Sequence, residues 1–255
     1  MASQILSSSP VAFIIGAGGL IGNAVKLKLK EQGYAVALGS RNPDIEVARR
    51  DGFLPIRVNA VDPQSVQNAF EEVTAALGPP SVVIHIVASL TTPSIEKDPL
   101  SLPVDAFLRD VATGAGTFAI AQKALEGFRS EKLRASNAAR AFIVTGNALP
   151  YFPPILPKFV GLAVQKEIEA SLVALFAKSY KNEGIRGGIP PYSDFQASGP
   201  AHAKAFLDLI NKGEAGDWDY RFEPSGERIP QEKYTLNLSN PREFIDEGFT
   251  SSLLD

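Results

Sequence analysis

The stretch that decides the fold is VAFIIGAGGLIGNAV, residues 11–25. Its first five residues are apolar without alternation, the pattern of a parallel strand buried on both faces. The run ends at Gly16, and Gly18, Gly19 and Gly22 follow before NAVKLKLKEQGY takes up helical spacing. A glycine-rich turn between a buried strand and a helix has a definite physical use. The first glycine allows the tight turn, and the middle ones let backbone N–H groups approach an anion. The helix N-terminus then faces that anion with its unpaired donors. Pyrophosphate is the usual occupant, so the stretch predicts dinucleotide binding.

Working outward, strands and helices alternate. YAVALGS (34–40) reads as strand two and ends at Ser40-Arg41. Asn42-Pro43-Asp44 is turn chemistry, and a helix starts near Ile45. LPIRVNAV (54–61) reads as strand three. Asp62-Pro63 then supplies a cap and a first-turn proline for a helix over 64–77. SVVIHIVAS (81–89) is a fourth strand, followed by a loop with three prolines and a long helix over about 105–129. ARAFIVTG (139–146) is a fifth strand. Its following segment, ALPYFPPILP, holds four prolines and cannot be helical. A helix over 159–182 is expected to be strongly amphipathic. GIRGGI (184–189) reads as a weak strand, 200–213 as a helix, and DWDYRFEP (217–224) as a last strand. The pattern predicts an α/β fold: a doubly wound parallel sheet of Rossmann type with helices on both faces. No composition shift marks a second domain, so 1–255 reads as one domain with a C-terminal extension from about 190.

Bulk properties narrow the function. The net charge is −3, so no basic excess points to nucleic acid or an anionic membrane as partner. Cysteine is absent and only His85 and His202 are present, which argues against disulfides and a metal site. The first ten residues lack a signal-peptide pattern, and no apolar run reaches the ~18 residues of a membrane span. A soluble, cytoplasmic protein is expected.

The end of strand two bears on the cofactor. An NAD enzyme places an acid there to hold the ribose 2′-hydroxyl. This chain has Ser40 and Arg41, which suit a 2′-phosphate, so NADPH is the expected cofactor.

With a GxGxxxG turn, six α/β units and a lysine on the fifth long helix, the chain resembles short-chain dehydrogenases/reductases over about residues 11–190. Within that family it is similar to an atypical, mainly fungal and bacterial branch. The features that carry this are GAGGLIG, VTGNAL (144–149), PPYSDF (190–195), GPAHAKAFLDLI (199–210) and DWDYRF (217–222). The resemblance implies a cofactor contact set of Gly16, Gly18, Gly19, Leu20, Ile21 and Gly22 in the turn. Ser40, Arg41, Asn59, Ala60, Val87, Ala88, Lys166 and Pro190 complete it at the later strand ends. It also implies a homo-oligomer formed through the helices of units four and five.

The departures are informative. The family's tyrosine and lysine are spaced YxxxK. Lys166 holds the lysine position, but Leu162 stands where the tyrosine belongs. The serine position falls in Thr145–Leu149, which has no serine, and the asparagine position matches Thr113. Hydride reduction of a ketone leaves an alkoxide that needs a proton, and leucine has none to give. An iminium carbon accepts hydride without that proton, and a conjugated acceptor needs less acid help. The pattern is similar to fungal indole-alkaloid reductase/cyclases, whose resemblance implies iminium reduction with NADPH followed by a Diels–Alder-type cyclisation in secondary metabolism. Two readings stay open beside it: a non-redox cyclase or isomerase on the same scaffold, and a non-catalytic dinucleotide-binding regulator.

The candidate catalytic residues are Lys166, Asp110, Thr145 and Tyr151. Asp110 would stabilise a cationic intermediate by charge, or is a solvated helix acid. Tyr151 would replace the lost donor, or packs a proline-rich lid. Tyr192 and Asp194 would touch substrate, or anchor their loop. Glu167 reads as a surface residue, His85 as a core histidine and His202 as structural. Leu149, Tyr151, Phe152, Ile155, Leu156 and Phe159 would wall a pocket for a bulky hydrophobic substrate.

Overall fold

The computed structural model describes residues 9–147, 149, 156–188, 198–212, 215 and 217–230. Tyr151, Phe152, Ile155, Pro190, Tyr192 and Asp194 lie outside the described residues. The order is β1 Val11–Ile15, α1 Gly19–Glu31, β2 Ala35–Ser40, α2 Ile45–Arg50, β3 Leu54–Arg57, α3 Pro63–Leu77 and β4 Val82–His85. Then come α4 Val104–Phe128, α5 Glu131–Arg134, β5 Arg140–Val144, α6 Val160–Tyr180, β6 Ile185–Gly188 and α7 Gly199–Lys212. All five strand pairings are parallel, in the order β3-β2-β1-β4-β5-β6. The chain therefore reverses direction across the sheet between β1 and β4. In such sheets ligands bind at the carboxyl ends of the strands beside that crevice.

Each face of the sheet carries its own core. Phe13, Val83, Phe142 and Val144 pack against Val66 and Phe70 of α3, Ile120 of α4 and Val173 of α6. Ile14, Ile84 and Ile143 on the opposite face pack against Val25 of α1 and Phe206 and Leu209 of α7. Strand residues therefore alternate between two apolar layers, which is why the strands read as unbroken apolar runs. The start of α3 follows its sequence signals: the Asp62 Oδ1 accepts from the Gln64 N–H at 3.0 Å and Pro63 sits in the first turn.

Four expectations need correction. Strand three stops at Arg57 instead of 61, because the Asn59 N–H turns to the Ser65 hydroxyl at 2.9 Å. Strands four and five stop at His85 and Val144; after one more backbone bond each, Ile86 N–H to the Ile15 carbonyl and Thr145 N–H to the His85 carbonyl, the departing chain is bonded by side chains of α6. Gln165 bonds the Ser89 N–H and the Val87 carbonyl, and Lys166 donates to the Thr145 carbonyl. The segment from 217 does not join the sheet. It pairs with itself through an isolated antiparallel bridge, Phe222 to Arg228, and buries Tyr220 and Phe222 beside α7. Helix α6 is not a simple amphipathic helix. Val173, Phe176 and Ala177 face inward while Leu175 is 62% exposed on the outer side.

No described helix is long and apolar enough to cross a membrane, and no metal-binding cluster exists among the described residues.

Candidate active site

The turn after β1 is built for close backbone approach. Gly16 has φ +90°, and a Cβ there would lie 2.9 Å from the Val87 backbone nitrogen. Its N–H donates to the Gly39 carbonyl at 2.9 Å, tying the turn to β2. A Cβ on Gly22 would run into the Ala17 carbonyl, so only glycine lets α1 pack this tightly on the turn. Gly18 and Gly19, in contrast, face open space. Gly18 caps α1 without a side-chain bond, and the first turn of α1 has no acid. The unpaired N–H groups of the helix start thus meet an open, acid-free space, which fits the pyrophosphate of a dinucleotide.

Ser40 is half-buried at the end of β2 and Arg41 is exposed beyond it. The next acid, Asp44, is committed to capping α2 through the Val47 N–H at 3.1 Å. No carboxylate therefore competes for a phosphate at this strand end. Ala60 is buried where α4 passes close over it, at Gly116. Leu20 is 60% exposed, Ile21 packs partly against the α1/α7 core, and beside the switch point Val87 is half-buried and Ala88 exposed.

The second half of the site is a polar layer between the sheet, α4 and α6. The two helices approach closely at glycines: a Cβ on Gly114 would lie 2.8 Å from the Gln165 carbonyl, and one on Gly161 would strike the Asp110 carboxylate. Asp110 is fully buried. It accepts from the Ser89 hydroxyl at 2.5 Å, the Thr91 N–H at 3.0 Å and the Thr91 hydroxyl at 3.2 Å. Lys166 donates to the Thr145 carbonyl at 2.9 Å and to Glu169 Oε2 at 2.7 Å, while the Gln165 amide donates to Glu169 Oε1 at 2.7 Å. Asp110 and Gln165 therefore hold the loop after β4, and Lys166 holds the chain leaving β5.

Burial sets the electrostatics. The His85 imidazole is pushed down to about 3, first by loss of solvent and then by the Lys166 ammonium, so it is neutral at pH 7. Burial pushes Glu169 up, opposed by the Lys166 ammonium and the Gln165 amide. Both oxygens of Glu169 accept hydrogen bonds, which is the bonding of a carboxylate. The side chains of Thr145, Thr117 and His85 have no hydrogen-bond partner among the described residues.

No protein-family model matches the chain. A fungal protein described as short chain dehydrogenase/reductase dmxR12, from Cryptosporiopsis sp. (strain 8999), is 28% identical over 229 residues, covering 83% of this chain and 90% of its own. A short-chain type dehydrogenase/reductase from Mycobacterium marinum superposes with a TM-score of 0.73 at 20% identity, covering 87% of this chain and 96% of that one. The fold is that of a short-chain dehydrogenase/reductase. Two further structures share it and carry cofactors. One is the 3-ketoacyl-(acyl-carrier-protein) reductase of Brucella melitensis complexed with NADH, with a TM-score of 0.72, 15% identity and coverage of 87% and 100%. The other is a variant actinorhodin polyketide ketoreductase with NADPH, with a TM-score of 0.72, 14% identity and coverage of 86% and 97%.

Of the expected catalytic residues, Lys166, Asp110 and Thr145 come together in the α4–α6 layer and at the end of β5. Leu162 lies one turn before Lys166 on α6 and is half-buried. Glu169, Gln165, Ser89 and Thr91 were missed by sequence reasoning. A signal existed for Glu169: it lies three residues after Lys166 and so shares its helix face, whereas the adjacent Glu167 is turned outward and exposed. Gln165 carried no signal, because its partners lie 76 and 78 residues earlier in the chain.

Proposed function

We propose that this protein is an NADPH-dependent reductase of the short-chain dehydrogenase/reductase type, acting on a bulky hydrophobic substrate with an iminium or conjugated acceptor. The observation that carries this reading is Lys166. Its ammonium gives two of its three hydrogens to the Thr145 carbonyl and Glu169, and the residue one turn before it is Leu162 where the resemblance places a tyrosine. Reduced nicotinamide, when bound, supplies hydride at the carboxyl edge of the sheet. The glycine turn would hold the pyrophosphate, Ser40 and Arg41 a 2′-phosphate, and Lys166 the nicotinamide ribose. Val87 and Ala88, fixed by Gln165, would border the ring. With Leu162 at the position where the resemblance places the proton donor, an acceptor that needs no proton on oxygen is the better match.

The test is transfer of label. A stereospecifically deuterated NADPH should deliver deuterium into a cyclic iminium acceptor, and fluorescence titration should show NADPH bound by the purified chain. Absence of NADPH binding would sink the reading. Arg41→Ala should weaken NADPH by about tenfold and leave NADH little changed, since one charge-assisted phosphate contact is removed. Equal losses for both would overturn the cofactor choice.

The missing tyrosine also favours a second reading, a non-redox cyclase on the same scaffold. In that case the labelled cofactor binds and no deuterium leaves it. For assembly, Phe118 and Leu175 are 52% and 62% exposed and flank an apolar groove between α4 and α6 with Leu125 and Leu172. This supports a homo-oligomer packed through that face.

A further inference from the structure

Three charged side chains are buried among the described residues apart from the two histidines: Asp110, Lys166 and Glu169. All three lie in the one layer between the sheet, α4 and α6, under the carboxyl ends of β4 and β5. A fold that shields nearly every other charge in water has placed two carboxylates and one ammonium beneath its ligand edge. Burying a charge is costly unless its partner and its hydrogen bonds compensate. The compensation here is specific. Lys166 and Glu169 meet at 2.7 Å and cancel. Asp110 has no cation within this set and accepts from three neutral donors, the Ser89 hydroxyl and the N–H and hydroxyl of Thr91. His85 carries no charge at pH 7. The floor therefore bears one net negative charge.

We propose that Glu169, by cancelling Lys166 and leaving Asp110 uncompensated, makes this site select a permanently cationic acceptor over a neutral one of the same shape. The proposal rests on the reading of the previous section that the carboxyl edge binds substrate, and it names the substrate's charge. The physics is direct. A lysine alone beneath the ligand would repel an iminium, and weak screening in a buried layer extends that repulsion across the pocket. With Glu169 in place, the repulsion is gone and the residual field of Asp110 attracts. The step itself balances. Hydride moves from reduced nicotinamide to the carbon of C=N⁺, whose π pair moves onto nitrogen. The products are a neutral amine and oxidised, positively charged nicotinamide, with no proton taken up.

The test separates charge from structure and from redox. The probes are N,N-dimethyl-1,2,3,4-tetrahydroisoquinolinium, a product-shaped permanent cation, and its neutral carbon isostere 2,2-dimethyl-1,2,3,4-tetrahydronaphthalene. Calorimetry gives the affinity of each for the full-length chain saturated with NADP⁺. The wild type should prefer the cation. Glu169→Gln removes one negative charge while keeping the side-chain shape, and should lower the cation-to-neutral affinity ratio by about tenfold. The double variant Lys166→Met with Glu169→Gln restores the net charge and should restore the ratio. An equal loss of affinity for both probes in Glu169→Gln would overturn the proposal, because a purely structural role predicts that result. A ratio that stays low in the double variant would overturn it too, since contact and not charge would then decide. Thermal unfolding of each variant guards against misfolding, and the ratio is read only from folded protein. These are binding measurements, so a chain that prefers the cation but transfers no deuterium refutes the reductase reading and leaves the charge inference standing.

Discussion

The two halves of the site are built in opposite ways. The glycine turn is contiguous: Gly16 to Gly22 form it almost alone, and Gly16, Gly19 and Gly22 answer local demands of backbone angle or approach distance. The α4–α6 layer is assembled from Ser89, Thr91, Asp110, Thr145, Gln165, Lys166 and Glu169, joined by bonds that span up to 78 residues. The first half resembles the cofactor sites of the fold at large. The second half is a layer of buried, mutually bonded polar side chains that meet only in the folded chain. The lesson is that the two halves can be perturbed separately, because different parts of the chain encode them.

The comparison can be broken most severely at Glu169. Glu169→Ala leaves the Lys166 ammonium buried without its carboxylate, and should cost about 3–5 kcal/mol in urea unfolding. A loss below 1 kcal/mol would mean that the layer relaxes and that the ion pair is not what holds it. The turn is the next target. Gly16→Val forces a branched side chain to φ +90° and against the Val87 nitrogen. It should cost ~1–3 kcal/mol and weaken NADPH by about tenfold or more. Unchanged NADPH affinity by fluorescence titration would show that the turn is not the pyrophosphate cradle.

A third experiment uses pH. His85 is depressed to about 3 in the fold, against 6.5 for the free side chain. Between those values the unfolded chain takes up a proton that the folded chain refuses, so stability must fall as pH drops from 6.5 towards 3. Glu169, shifted upward, works in the opposite direction above its ordinary value. His85→Leu should remove about one proton from the acid-side slope of stability against pH, measured by denaturant unfolding. The same slope in both proteins would refute a neutral buried His85. The smallest effect is expected away from both halves of the site. Asp62→Ala removes the α3 cap and should cost about 1 kcal/mol without changing NADPH affinity.

Legibility in the sequence followed the same division. The strand-turn-helix at 11–31, the cap at Asp62 and the helix near Ile45 stood where local pattern put them. Strand ends were misplaced where side chains bond the departing backbone: the nearby Ser65 after β3, and the distant Gln165 after β4 and Lys166 after β5. The 217–224 segment alternates like a strand but is not among the six strands of the described sheet, and its apolar side chains pack beside α7. Glu169 was readable in principle from its spacing to Lys166, yet spacing alone does not tell a buried pair from a solvated one.

The sequence by itself determined that a buried strand, a glycine turn and a helix would form a dinucleotide-type cradle, because those demands act between neighbours along the chain. It also determined that Leu162, and not a tyrosine, precedes Lys166. Only the tertiary structure decided what Lys166 does. Packing of α4 on α6 through Gly114 and Gly161 drew Asp110, Gln165 and Glu169 out of water and under the ligand edge. A charge acquires its meaning from its distance to other charges and from the solvent it has lost, and neither quantity is written in the order of residues.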